Sequence, residues 1–113
     1  MAANGSGLPI RLSQGEPLSI ALALETGSFQ GRRADWYVVA ETPVGPYHFD
    51  LAFASAPGDW QPGLQPTLVA PLVPLGRLKV DESVPPLGSY TLTFAVSLEG
   101  SVYLDSVPVD VIP

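Results

Sequence analysis

The sequence predicts an all-β fold in which two antiparallel sheets pack face to face as a sandwich, for three reasons. Apolar residues alternate with polar or small ones along several short segments, which is the period of a strand with one buried face. The 11 glycines and 13 prolines recur between these segments, as turn residues do. No segment shows the 3.6-residue period of an amphipathic helix. Short strands at regular turn spacing are typical of a β-sandwich.

Composition sets the size of this fold. A chain of 113 residues, 46% apolar and only 14% charged, can bury one hydrophobic core. We expect residues 1–7 to form a flexible leader or linker and residues 8–113 to form a single domain. The absence of cysteine excludes disulfides and zinc–thiolate sites.

Seven to eight strands are expected, and they differ in regularity. The best pattern is 90–98, where five apolar residues alternate with Thr, Ala and Ser. Prolines in two other segments favour an edge or an interruption, because proline cannot donate to a ladder. The expected strands, in chain order, are 8–13, 18–25, 34–41, 47–53, 67–73, 76–80, 90–98 and 101–112.

The last segment changes phase. Val102 and Leu104 are apolar at even positions, whereas Val107 and the valines after it are apolar at odd positions. A one-residue slip of this kind is what a β-bulge produces, and proline cannot donate to a ladder, so we expect a bulge or an edge position at Pro108.

The stretch "LKVDESVPPLGSYTLTFAV" resembles the E-strand, corner and F-strand of immunoglobulin-like domains. The resemblance makes Gly88 the turn glycine and Tyr90 the tyrosine of a tyrosine corner, whose hydroxyl bonds back to the backbone of residues 81–87. It also places Trp36 where the core tryptophan of strand C lies, and Leu92 where the second cysteine of antibody domains lies. Trp36, Leu92 and, by its alternation, Phe94 are therefore expected in the core.

A second resemblance is to cysteine-free immunoglobulin-like modules of bacterial surface and secreted proteins. The segments that carry it are "ADWYVVAETPVGPYHF", "GSYTLTFAV" and "LDSVPVDV", and it covers about residues 16–112. Such modules act as spacers, stalks or interaction domains, so the resemblance implies a non-catalytic structural or protein-interaction role.

The titratable residues do not suggest catalysis. His48 is the only histidine, and its alternation with Tyr47 predicts an exposed ring. The carboxylates Asp81 and Glu82, or Asp105 and Asp110, are expected to be solvated charges. We expect no enzyme activity, no cofactor and no metal.

Two aromatic residues are candidates for contact with a ligand or partner. Trp60 lies in "PGDWQPG", which predicts a loop. Its indole either caps the sandwich, with its N–H on a backbone carbonyl, or stacks on a sugar or protein partner. Tyr37 could add to such a surface, so a carbohydrate-binding sandwich is the alternative function.

Charge and sequence ends bear on partners and location. A net charge of −6 with five basic residues argues against nucleic acid. The longest apolar run, "LSIALAL", is too short for membrane insertion, and "MAANGSGLPIR" has no signal-peptide pattern. Either the protein stays in the cytoplasm, or it is a domain of a longer extracytoplasmic chain (secreted, periplasmic or on the cell surface). We expect the second, because this start resembles a linker. Its partners would be other domains of that chain or another protein, with polysaccharide as the alternative.

Overall fold

Ten β-strands make up most of the part of the chain that the structure describes. The computed structural model describes residues 1–50 and 59–113. Over these residues it has one 3-10 turn, Gly27–Phe29, and no α-helix. The strands are β1 (Ala2–Ala3), β2 (Ile10–Ser13), β3 (Leu18–Leu24), β4 (Arg33–Thr42), β5 (Gly45–Asp50), β6 (Asp59–Pro62), β7 (Leu68–Pro71), β8 (Leu75–Ser83), β9 (Gly88–Leu98) and β10 (Ser101–Ile112). The all-β class predicted from the sequence is confirmed. Residues 51–53 of the expected strand 47–53 lie outside the described residues.

The strands form two sheets. The small sheet has the order β1-β3-β8, and the large sheet has the order β2-β10-β9-β4-β5-β6, with β7 paired to β4. The pairs are antiparallel except β2 with β10, which run parallel. The sheets are therefore mixed and not purely antiparallel as expected.

Strand β9 lies at the centre of the large sheet. It pairs with β10 from Gly88 to Leu98 and with β4 from Thr91 to Ser97, so both of its edges are hydrogen-bonded. Its even residues from Leu92 onwards are buried, which is the period of two that the sequence predicts.

The core lies between the sheets as two clusters. One cluster joins Leu18 and Ile20 of the small sheet to Leu92 and to valines of β10. The other holds Trp36, Val38, Phe49 and Phe94 with Leu22. The three residues expected in the core from the sequence are all buried: Trp36, Leu92 and Phe94.

Trp36 is held in the core by two specific contacts. Its ring stacks on Phe94 at a centroid distance of 6.1 Å. Its indole N–H donates to the carbonyl of Ala70 in β7 at 3.1 Å. The polar atom of a buried tryptophan is thus satisfied by the strand beside it.

Of the bulge or edge position expected at Pro108, the bulge is wrong. Strand β10 pairs with β9 without interruption from Ser101 to Val111. The phase changes because the apolar side chains of Val102 and Leu104 lie on the solvent face of the sheet, where they are 59% and 65% exposed. The turn before them contains Glu99 with φ 52° and a glycine with φ 81°, as a two-residue hairpin loop requires.

The leader is more ordered than expected. Ala2 and Ala3 pair with β3, and the side chain of Ala3 is fully buried in the first cluster. The N-terminal ammonium of Met1 lies 3.0 Å from a carboxylate oxygen of Asp105. Small alanine side chains fit against β3, so a stretch whose Gly and Ser content suggested a linker contributes a strand.

Gly88 begins β9 at a point where two turns meet. Its φ of +139° is one that other residues rarely adopt, and a Cβ atom there would lie 2.4 Å from Cγ of Pro43. Pro43 belongs to the β4–β5 turn. The glycine is therefore required by a close approach between turns as well as by its own backbone conformation.

We expect Gly88→Ala to lower the free energy of unfolding by about 1–3 kcal/mol, through backbone strain and the clash with Pro43. Gly76→Ala is the matched control, because a Cβ atom at Gly76 meets nothing within 4 Å. Urea unfolding followed by circular dichroism measures both. Equal stability of the two variants would contradict the account of Gly88.

Candidate functional site

An apolar cavity of about 420 Å³ opens at one end of the fold, between the two sheets. Its inner wall includes Leu18, Ile20, Ala40 and Leu92 from the first core cluster. Its rim is formed by the β4–β5 turn and the connection from β8 to β9. Apolar rim residues face water: Val44 is 80% exposed, Val84 59% and Leu87 42%.

Trp60 forms a side wall of this cavity. It lies on β6, paired with Phe49 of β5, and not in a loop as expected. The two rings meet edge to face at a centroid distance of 5.2 Å. The indole N–H donates to Oδ2 of Asp81 at 3.0 Å, so its partner is a carboxylate and not the expected backbone carbonyl. Trp60 is half-buried and packs against both core clusters, and its bond joins the large sheet to the small one.

Asp81 reaches the cavity because of an irregularity in β8. Ile20 pairs with Asp81 and the next residue, Ala21, pairs with Lys79, so Val80 is an extra residue on β8. Val80 packs on both core clusters while Asp81 lines the cavity. A bulge of this kind re-aims a side chain, and here it turns a half-buried carboxylate towards the interior.

The carboxylate of Asp81 accepts two bonds at one oxygen. Besides the indole, the hydroxyl of Ser83 donates to Oδ2 at 3.2 Å. Among the described residues no donor reaches Oδ1. The second oxygen is therefore the part of this carboxylate that another donor can use.

Tyr90 lines the cavity on the side of the β8–β9 connection. Its hydroxyl donates to the carbonyl of Pro86 at 2.7 Å, within the 81–87 segment that the sequence singles out. The ring is half-buried, although a tyrosine corner would bury it fully. This burial raises the pKa of the Tyr90 phenol above its usual value. The bond ties the start of β9 to the connection that precedes it.

Tyr37 and Trp60 do not share a surface. Tyr37 lies on β4 between the buried residues Trp36 and Val38, so its half-buried side chain faces away from the core. Trp60 faces the core. A joint aromatic platform of these two residues is therefore wrong.

A second surface lies on the outer side of the large sheet. Tyr37 pairs with Ala95, and Ala95 pairs with Leu104, so these residues form a row across β4, β9 and β10. Val102 lies two residues from Leu104 on the same side of β10. Ala95 is only 7% exposed, so we call the more accessible residues Tyr37, Val102 and Leu104 the outer apolar patch.

The expectation that His48 is exposed is wrong. Only 5% of the residue is accessible, and its Nδ1 lies 2.9 Å from the carbonyl oxygen of Gly63. A hydrogen bond to the backbone satisfies this ring in the way that burial of a polar group requires.

The carboxylates that the sequence pairs have separate contacts. Glu82 forms an ion pair with Lys79, while Asp105 meets the amino terminus. Asp110 accepts a bond from Ser89 at 2.8 Å. In residues 1–50 and 59–113 no three His, Asp or Glu side chains are grouped as a metal site would need.

The chain was compared with protein-family models, curated proteins and solved structures, and none of these matches it. In the part of the chain that the structure describes, no helix has the length and apolar character needed to cross a membrane.

Sequence reasoning finds Trp60 and Tyr90 but not the cavity between them. Asp81 is 21 residues from Trp60 along the chain, and no local pattern joins them. The one signal is "DESVPPL", where a carboxylate precedes apolar residues and prolines that cannot continue a ladder.

We expect Tyr90→Phe to lower the free energy of unfolding by about 0.5–1.5 kcal/mol, because it leaves the Pro86 carbonyl without this donor. Tyr103→Phe is the control. Tyr103 is 54% exposed, and its hydroxyl makes no hydrogen bond within the described residues. Urea unfolding at neutral pH measures both, and an equal loss in the two variants would contradict the role of the Tyr90 hydroxyl.

The burial of Tyr90 also makes the free energy of unfolding depend on pH. Because burial raises the folded-state pKa of Tyr90, the unfolded chain loses this proton first as the pH rises. The contribution of the protonated Tyr90 to the free energy of unfolding is fully present below the unfolded-state pKa of about 10. It is lost as the pH rises through the pKa of the folded state. Tyr90→Phe should remove that part of the alkaline loss of stability.

Proposed function

We propose that this chain is a non-catalytic immunoglobulin-like module with a structural or protein-interaction role in a larger bacterial extracytoplasmic protein. Its partners are other domains of that protein or a separate protein. The bacterial and extracytoplasmic parts of this proposal rest on the resemblance of the strand motifs. The interaction role rests on one observation of the structure, the exposed apolar residues and open edge of β10.

Strand order supports the immunoglobulin-like assignment. In such domains strands B and E share one sheet, and strands C, F and G share the other. Here β3 and β8 pair in the small sheet, while β4, β9 and β10 are adjacent in the large one. The bond from Tyr90 to Pro86 has the partners expected of a tyrosine corner.

The open edge of β10 supports the interaction role. Strand β2 covers this edge only from Val109 to Ile112. No described strand pairs with the same edge of Ser101–Ser106. In an antiparallel pair successive residues point their N–H and C=O groups to alternate sides, so this segment presents donors and acceptors that a further strand can use.

The outer apolar patch adjoins this edge. Val102 and Leu104 carry side chains that face water on the same strand whose backbone is open. A partner strand added at the edge gains main-chain hydrogen bonds there and apolar contact with the patch. Exposed apolar residues beside an open edge are otherwise an aggregation hazard.

The geometry gives less support to polysaccharide binding. Stacking on a sugar ring requires an exposed aromatic platform, whereas Trp60 is a half-buried side wall of the cavity and Phe49 packs on it. The companion expected from the sequence, Tyr37, faces away from the core and so does not share a surface with Trp60.

Site-specific photo-crosslinking in the full-length protein tests the interaction role. A benzophenone amino acid at position 102 should give a discrete protein adduct, and Leu104→Lys should abolish that adduct. The control position is 77, because Arg77 is an exposed residue of the small sheet. Identical adducts from positions 102 and 77, or none from 102, would contradict the proposal.

Binding assays with a panel of polysaccharides test the alternative function, carbohydrate binding. Binding that Trp60→Ala abolishes and Leu104→Lys leaves intact would replace the protein-interaction proposal with a carbohydrate-binding one. We expect no such binding, since the indole is already engaged by Phe49 and Asp81.

A further inference from the structure

The cavity between the sheets has the features of a small-molecule site, and this inference is independent of the outer apolar patch. A volume of about 420 Å³ lies in the range of sites that hold small organic molecules. Such sites have mostly apolar walls with a few polar groups that set orientation. Among the described residues that line it, most are aliphatic or aromatic, and the one charged group is the carboxylate of Asp81.

The hydrogen-bonding state of the walls indicates which ligand group fits. Four side-chain donors of the cavity are already engaged with acceptors of the protein itself: those of Thr42, Trp60, Ser83 and Tyr90. The hydroxyl of Tyr47, which also lines the cavity, donates to no acceptor of the described residues. Oδ1 of Asp81 receives no hydrogen bond from the described residues. A ligand that brings a donor is therefore complementary to Oδ1 of Asp81, whereas a ligand carboxylate would meet a like charge there.

The aromatic residues favour a cationic donor. The rings of Tyr47, Trp60 and Tyr90 all line the cavity together with Asp81. Aromatic faces attract ammonium groups, and a partly desolvated carboxylate pairs with them more strongly than a carboxylate in bulk water does. The net charge of −6 also favours the approach of a cation.

The apolar rim of the opening favours a ligand with an apolar body. Val44, Val84 and Leu87 surround the mouth and remain exposed to water. A hydrocarbon or aromatic body seated between them would remove this surface from water. We propose that the cavity binds a small apolar molecule that carries a protonated amine, with the amine on Asp81 and the apolar body against the rim.

A matched pair of probes tests this proposal. 1-Naphthylmethylamine is protonated at neutral pH, and 1-naphthalenemethanol has nearly the same shape without the charge. The protein has two tryptophans, so its NMR spectrum has two indole N–H signals, and Trp36→Phe identifies that of Trp60. The amine should shift the Trp60 signal and leave that of Trp36, which does not line the cavity.

Affinities measured by titration should show that the amine binds about tenfold more tightly than the alcohol. Asp81→Asn keeps an acceptor for the indole and removes the charge, so it should abolish this preference. Asp110→Asn is the control, because Asp110 is an exposed carboxylate outside the cavity whose partner is Ser89. It should bind both probes as the original protein does.

Three results would overturn the proposal. One is the absence of a shift of the Trp60 signal at millimolar amine. Another is equal affinity for amine and alcohol, which needs no variant and so does not depend on how Asp81→Asn folds. The third is a preference for the amine that persists in Asp81→Asn.

Discussion

The burial of one face of β9 is the interaction on which the other features depend. This strand pairs along its length with β10 and along most of it with β4, and its even side chains fill the space above the small sheet. Burying apolar surface contributes about 25 cal/mol per Å² to stability. The apolar side chains at alternate positions of β9 therefore stabilise the sandwich strongly. The position of β9 in turn fixes which faces of β4 and β10 point inwards.

The ends of β9 place the two surfaces to which we assign function. At its start, Gly88 approaches Pro43 and the hydroxyl of Tyr90 binds Pro86, which brings the rim of the cavity together. The contact of Trp60 with Asp81 joins the sheets at the side of that cavity. At its other end, the hairpin to β10 carries the exposed Val102 beyond the part of the edge that β2 covers.

Period-two alternation was enough to predict the strand class and the buried residues of β4 and β9, because both have one face in the core and one outside it. It failed for β10, where apolar side chains occupy the solvent face and imitate a change of phase. It wrongly predicted an exposed ring for His48, because the carbonyl of Gly63, the residue after β6, forms a hydrogen bond with the buried ring. The cavity could not be predicted, because a bulge at Val80 and a contact between sheets create it.

Native-state hydrogen exchange tests the central role of β9 most directly. Because both edges of β9 are hydrogen-bonded and its core face is buried, the amides of Leu92, Phe94 and Val96 should exchange only through global unfolding. The amides of Trp60 and Gln61 in the short strand β6 should exchange through smaller local openings. The account predicts opening free energies in β9 equal to the global stability measured by denaturant. Exchange of the β9 amides as fast as those of β6 would contradict it.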